Sequence, residues 1–390
     1  MSTRRWSTES ARWWPAAVVA AAFAAGVAVW LAGWHLGADS AVYRAGALSF
    51  LRGEQLYTDR ALSTLPSWVL LPFTYPPAAA LLFTPLAVLP EGLAWGALAA
   101  GSAASLVVVV RLAARGSRLA AWPAVAGLSV LAVALEPVWK TFFLGQINLI
   151  LMALVMADVL VLSARGSRWG GVLIGVAAAV KLTPLVFVAH LIVTGRWRDA
   201  LRALATFAAL QGLMFLLAFG DTAQYWERTA SNADRIGAVH WIFNQSLHGL
   251  VARAGELTPL AMPVALAIGA LLAVPAVWLV VRLHRRGEAL MALLVTATFG
   301  LLVSPVSWTH HWVWTVPLVV LLLVRARYWA VVAVTAVFTG VVMLVPNGGR
   351  AEFGWGPLLS VPGNLYVVAA TVGLLGLSVR ELARLRSARG

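Results

Sequence analysis

The chain has 390 residues, of which 61% are hydrophobic and 11% charged, and it contains no cysteine. A soluble globular domain carries about 25% charged residues, so this composition excludes one, and the missing thiols exclude disulfides, zinc–thiolate sites and cysteine nucleophiles. The net charge of +14 sits in arginine clusters between apolar runs, a pattern that sets membrane topology and does not call for nucleic acid.

In chain order, Arg4, Arg5 and Arg12 precede an apolar run over 13–34, which resembles a signal-anchor. A polar island at 37–46 follows, with a short interfacial helix predicted over 40–51. Residues 77–90 are apolar, but Pro85 interrupts them, so they are expected to be re-entrant and the next crossing to be 92–112. Further spans are predicted at about 119–135, 147–162, 201–219, 260–281, 290–303, 312–324, 329–345 and 365–377. Between them, 169–194 has basic flanks and a break at Lys181-Leu182-Thr183-Pro184. Each half is too short to cross at 1.5 Å per residue, so a hairpin of two short helices is expected, its tip lining a polar cavity.

The basic clusters at the N-terminus, 111–118, 165–168, 196–202, 282–286, 325–327 and 380–389 all fall on one face. By the positive-inside rule that face is cytoplasmic. Outer loops are then expected at about 36–77, 136–146, 220–258, 304–311 and 346–362 of a single membrane domain spanning 1–390. Many of the 19 Trp residues lie at run edges, as interfacial anchors do, and the Ala and Gly content suits close helix packing. Long alternating strand patterns are absent, which argues against a barrel.

The polar residues that remain are candidates for chemistry. Asp39 stands where a span meets water, in a chain with only 15 acidic residues. An acid there is costly without a task or a partner. As a general base it would take a proton from a sugar hydroxyl; as a plain structural residue it would cap the helix that follows. Tyr43 and Arg44 lie one turn on. Tyr75, before Pro76-Pro77, can stack on a sugar or an isoprenoid, or anchor a loop at headgroup level. A second island holds Glu136, Lys140, Gln146 and Asn148, whose amides can bind a hydroxyl or phosphate or simply cap helices. Lys181 can neutralise a lipid phosphate or pair with Asp39 or Glu136. In Ser304-Pro305-Val306-Ser307-Trp308-Thr309-His310-His311-Trp312, the paired histidines suit a phosphate better than a metal, because no carboxylate is near in sequence. Asn244, Gln245 and His248 in the long outer loop form a candidate acceptor-recognition element.

As an ordered set these residues resemble the family 87 glycosyltransferases of actinobacteria. The resemblance runs from Asp39-x-x-x-Tyr43-Arg44, Gly53-x-x-x-Tyr57, Tyr75-Pro76-Pro77 and Pro85 through Gly145-Gln146-x-Asn148 and Lys181-x-x-Pro184. It ends with Asn244-Gln245-Ser246 and the motif from Ser304 to Trp312. The resemblance implies an all-α polytopic GT-C fold of about 10–12 transmembrane or re-entrant helices, in the plasma membrane, with its active site on the extracytoplasmic face. It implies mannose transfer, with inversion, from polyprenyl-phosphate-mannose to a lipid-anchored phosphatidylinositol mannoside, giving an α-1,2 linkage. Asp39 and His311 would be catalytic. Arg44, Lys181, His310, Gln146 and Asn148 would hold the donor phosphate and sugar. Tyr43, Tyr75, Asn244, Gln245, His248 and Trp308 would meet the acceptor or lipid. The alternatives are an arabinofuranosyltransferase using decaprenyl-phosphate-arabinose and a lipid or sugar transporter. Many GT-C enzymes carry paired acids; the single Asp39 here departs from that pattern, and no metal or other cofactor is expected.

Overall fold

The computed structural model describes residues 10–58 and 61–387; the basic residues Arg4 and Arg5 lie outside them. Among the described residues the regular structure is helical, apart from one isolated antiparallel bridge between Asn244 and Trp308. Helix α1 (Ser10–Ala32) is the first apolar run. The polar helix α2 (Ala38–Arg52) then begins at Gly37, which takes the left-handed φ of 81°. Asp39 therefore sits inside the first turn and caps nothing, so its carboxylate remains available to other partners. The re-entrant piece is present as α3 (Pro77–Leu82) and α4 (Thr84–Ala87), joined at Phe83 and packed on α2. Helix α5 (Glu91–Ala113) returns along α1. The two backbones meet at Gly26 and Gly96, where a Cβ on Gly26 would lie 2.4 Å from the Gly96 Cα. Small residues permit such an approach in lipid.

The next element departs from expectation. The predicted span over 119–135 is shorter, α6 (Trp122–Ala132), and the predicted loop over 136–146 is a second helix, α7 (Glu136–Leu144), bent 77° from the first. Pro137 in the first turn explains the break: proline starts a helix well but cannot continue one, having no N–H to donate. The freed Glu136 amide donates instead to the Phe338 carbonyl (2.7 Å). Helix α8 (Asn148–Ala157) then runs on through a π turn and a 3-10 turn to Arg165.

The hairpin forms as the break at Lys181 requires, from α9 (Val172–Val180), a 3-10 turn over Thr183–Leu185, and α10 (Val186–Val193). Its open ends return to one level. The Gly171 amide donates to Asp158 Oδ1 (2.7 Å), while Arg196 Nη1 donates to the Val159 carbonyl (3.0 Å). Helix α11 (Trp197–Leu217) packs along α9. The loop after it holds α12 (Phe219–Gln224) and α13 (Leu247–Ala254). The chain closes with α14 (Ala261–Arg285), α15 (Ala289–Val303), a 3-10 turn over Thr309–Trp314 leading into α16 (Thr315–Val324), α17 (Tyr328–Val337), α18 (Pro357–Gly363) and α19 (Leu365–Ser387).

Among the described residues five helices are long and apolar enough to cross a membrane, six if the bent pair counts as one span, and five shorter apolar helices accompany them. The protein is a multi-pass, all-α membrane protein. On the basic face, Glu381 of α19 pairs with Arg286 (2.6 Å), and Glu288 pairs with Arg286 (3.0 Å) and Arg325 (2.7 Å). The site lies at the other end, where α2, the end of α7, the hairpin tip and the 309–314 turn converge.

Candidate active site

Two glycines set the frame. Gly145 ends α7 with a left-handed φ of 65°, and a Cβ there would come within 2.7 Å of the Ser40 side chain. Across the gap the Gly37 amide donates to the Phe143 carbonyl (3.1 Å), and Trp95 Nε1 donates to the Phe142 carbonyl (2.7 Å). The first turn of α2 is thus clamped against the last turn of α7. The residue after Gly145, Gln146, is delivered to the face of α2 that carries Asp39 and Tyr43.

Gln146 is the hub. Its side chain hydrogen-bonds Asp39, and its Oε1 accepts from Tyr43 Oη (2.7 Å) and Lys181 Nζ (2.9 Å). Its Nε2 donates to Tyr75 Oη (3.4 Å), which in turn donates to Tyr43 Oη (3.2 Å). Lys181 is extended, with φ −139° and ψ 139°, so it leaves the end of α9 and reaches across the hairpin tip. Its ammonium also donates to Asn148 Oδ1 (2.9 Å) and lies 5.5 Å from the Tyr75 ring centroid. Asn148 Nδ2 holds the His310 carbonyl (3.0 Å), and the Thr141 hydroxyl donates to the same oxygen (3.4 Å). The His310 ring stands edge-on to His311 at 4.8 Å. Both His310 ring nitrogens are buried and have no hydrogen-bond partner among the described residues. Even a neutral imidazole carries one N–H, and a buried donor left unpaired is costly, so the ring has hydrogen-bonding capacity that no described residue takes up. From His311, Asn148 and Ser304 a narrow crevice of about 60 Å³ runs between mostly apolar walls that include Met152, Phe187 and Leu301.

Burial pushes the Asp39 carboxyl up to about 6, against the opposing pull of the Lys181 ammonium and the Gln146 hydrogen bond. The group is therefore ionised at neutral pH yet still basic enough to accept a proton, the balance that general-base catalysis requires. Among the described residues no three His, Asp or Glu side chains gather in the manner of a metal site.

Behind the histidines lies a support that sequence reasoning saw only in part. Glu136 is fully buried and accepts from Thr309 Oγ1 (2.7 Å) and Tyr366 Oη (3.1 Å). It also pairs with Lys140 (3.3 Å), which in turn donates to Thr309 Oγ1 (3.1 Å). Glu136 and Lys140 stood out as a polar island. Tyr366 did not, because a tyrosine at the start of an apolar run gives the same signal as an interfacial anchor.

The structure brings Asp39, Tyr75, Gln146, Asn148, Lys181, His310 and His311 together and leaves other candidates elsewhere. Arg44 was expected at the donor phosphate, but its Nε donates to the Leu89 carbonyl (2.6 Å), since it is turned toward the 89–91 corner of α5 and the Glu91 charge. Tyr43 is within the Gln146 cluster but has no exposed surface, and its hydroxyl donates to Gln146 Oε1. Asn244 and Gln245 are likewise fully buried, and backbone groups take up their amides. Asn244 Oδ1 accepts from the Ser307 amide (2.9 Å) and its Nδ2 donates to the Val239 carbonyl (2.9 Å). Gln245 Nε2 donates to the Ile242 (2.6 Å) and Gly363 (2.8 Å) carbonyls. The Asn244 side chain thus staples the 304–311 segment in place, and that of Gln245 ties its own turn to Gly363 and Tyr366. His248 faces the Pro305 carbonyl of that segment (3.2 Å), and Trp308, within it, packs beside Trp241 at 6.3 Å; neither bonds the Gln146 cluster.

The sequence of Glycosyltransferase family 87 matches residues 73–305 of the chain. A polyprenol-phosphate-mannose-dependent alpha-(1-2)-phosphatidylinositol mannoside mannosyltransferase of Mycobacterium tuberculosis is 35% identical over 389 residues, covering 91% of this chain and 89% of that protein. The Mycolicibacterium smegmatis protein of the same description is 36% identical over 85% of this chain and 78% of its own length. A phosphatidylinositol pentamannoside mannosyltransferase of the same organism is 35% identical, covering 87% of this chain and 85% of that protein. No solved structure matches the chain. With the family pattern spread over more than half its length and such relatives along nearly all of it, this chain belongs to glycosyltransferase family 87, the GT-C type of membrane glycosyltransferase.

Proposed function

We propose that the protein transfers mannose from a polyprenyl-phosphate-mannose to a mannose hydroxyl of a phosphatidylinositol mannoside, forming an α-1,2 linkage with inversion, on the extracytoplasmic face of the membrane. The observation that carries this reading is the continuous chain from Asp39 through Gln146, Lys181 and Asn148 to His310. It has a carboxylate at one end and, at the other, an ammonium, an amide and an imidazole of the kind that bind phosphate. The printed descriptions of the relatives support mannose over arabinose as the sugar. The same descriptions, and the family model, support a transferase over a transporter.

In the proposed step the Asp39 carboxylate takes the proton of the acceptor hydroxyl as that oxygen attacks the anomeric carbon. The bond from that carbon to the phosphate oxygen breaks on the opposite side, and the electron pair leaves with the polyprenyl phosphate. The Lys181 ammonium offsets the phosphate charge and the histidine pair, as neutral imidazoles, donates hydrogen bonds to it, as preorganised donors do. Because the phosphate leaves already ionised, no general acid is required. The apolar crevice beside His311 suits the first isoprenoid units. We include metal independence in the proposal, with Lys181 in the role a cation would take; chelator should leave the rate unchanged. The deciding experiment is Asp39→Asn in reconstituted vesicles with labelled donor. Transfer should fall by at least about a thousandfold, and a rate near wild type in a folded, inserted variant would remove Asp39 from the role.

A further inference from the structure

A second polar cavity, of about 410 Å³, lies apart from the Gln146 cluster, between the segment after α2 and the turns after α12. That volume is within the usual range for small-molecule sites. Its walls are tied together by three hydrogen bonds that cross the gap. The Leu56 amide donates to Asp221 Oδ1 (2.8 Å), Gln224 Nε2 to the Tyr57 carbonyl (2.6 Å), and Arg235 Nη2 to the Thr58 carbonyl (2.7 Å). It is therefore a built cleft. Gln55, Gln224, Thr229 and Asn232 line it together with Arg228 and Arg235. Neither arginine forms an ion pair among the described residues, and Arg235 Nε is buried without a hydrogen-bond partner there. Two guanidiniums with no ion pair among the described residues, set among amides and a hydroxyl, match an anion that also carries hydroxyls. The cleft neighbours the active site across packed side chains: the Tyr57 hydroxyl donates to the carbonyl of Tyr75 (2.7 Å), whose own hydroxyl lies in the Gln146 cluster.

We propose that this cleft binds a phosphodiester-linked polyol, namely the phosphoinositol headgroup of the glycolipid acceptor, while the terminal mannose of that acceptor reaches Asp39. The proposal rests on the function proposed above for its choice of acceptor. It assigns acceptor recognition to Arg228 and Arg235, neither of which touches the reacting atoms.

The test uses the full chain and the Arg228→Gln/Arg235→Gln double variant. Binding of a deacylated phosphoinositol mannoside should weaken about tenfold or more, while binding of a methyl mannoside, which lacks the phosphodiester, stays the same. In reconstituted vesicles the KM for the anionic glycolipid should rise by a similar factor, with the kcat, the donor KM and transfer to a neutral alkyl mannoside unchanged. Equal binding by wild type and variant overturns the proposal. So does a defect that vanishes when the surrounding anionic phospholipid is replaced by a zwitterionic one, because the occupant would then be a leaflet lipid. Wild-type protein that binds the headgroup through these arginines yet transfers no mannose would instead refute the proposed function and leave the cleft standing.

Discussion

Asp39 is held between two opposing influences, and this makes a prediction about pH. Burial raises its carboxyl to about 6, and the Lys181 ammonium keeps it from rising further. A general base works only when ionised, so kcat/KM should be level above that value and fall by tenfold per pH unit below it. Removing the ammonium with Lys181→Met takes away the influence that favours the charged form, and the acid limb should then move to higher pH by roughly one unit or more. The position of the limb is the readout, because Lys181→Met also lowers the absolute rate by weakening phosphate binding. An acid limb that stays in place would mean that Asp39 is not the titrating group or that Lys181 does not reach it. Asp39 was legible in the sequence because an acid at a span boundary is rare and expensive. The partners of Arg44, Asn244 and Gln245 were not legible for the converse reason. An arginine or an amide pays for burial equally well with a ligand or with a backbone carbonyl, and only coordinates show that Leu89, Val239, Ile242 and Gly363 took those donors.

The site is built from interruptions in helices, and the sequence shows an interruption more clearly than where the chain goes next. Lys181-Leu182-Thr183-Pro184 announced the broken hairpin, since basic flanks and a proline leave few other solutions in lipid. The bend between α6 and α7 was missed because Pro137 sits near the end of one apolar run, where a loop and a new helix look alike. Gly145 shows what such a break does. It closes α7 in the left-handed region and leaves no room for a side chain against Ser40. Gly145→Ala should therefore cost about 1–2 kcal/mol from the backbone conformation alone, with a further loss from the clash at 2.7 Å. Because the clash pushes α2 away from α7, the rate should fall further than stability does. Thermal unfolding in micelles, compared with kcat at a temperature where the variant remains folded, separates the two. A variant that is less stable but fully active would show that the Asp39–Gln146 distance is not set by this turn.

At the scale of the molecule, the question is what holds the last third of the chain to the histidines. Residues 136–148 and 304–311 are far apart in sequence, and α19 is farther still, yet Glu136 joins all three through Thr309 and Tyr366. Lys140 completes the network and places its ammonium 3.7 Å from the Phe243 ring centroid. A buried ion pair adds little over a neutral pair, but breaking one side of it leaves a stranded charge and costs about 3–5 kcal/mol. Lys140→Met should therefore be strongly destabilising, because Glu136 keeps two hydroxyls but loses its countercharge. Glu136→Gln should cost less, because the amide can still accept from Thr309 or Tyr366 and the ammonium retains the Thr309 hydroxyl and the Phe243 ring. The double variant removes both charges, and its cost should fall well short of the sum of the two singles. Unfolding of the four proteins in one micelle system gives the coupling directly, and for residues in contact such couplings run to about 0.5–3 kcal/mol. Additive losses would mean that Glu136 and Lys140 act separately. The position of His310 would then depend on Asn148 and Thr141 alone, and α19 could be weakened without changing the site.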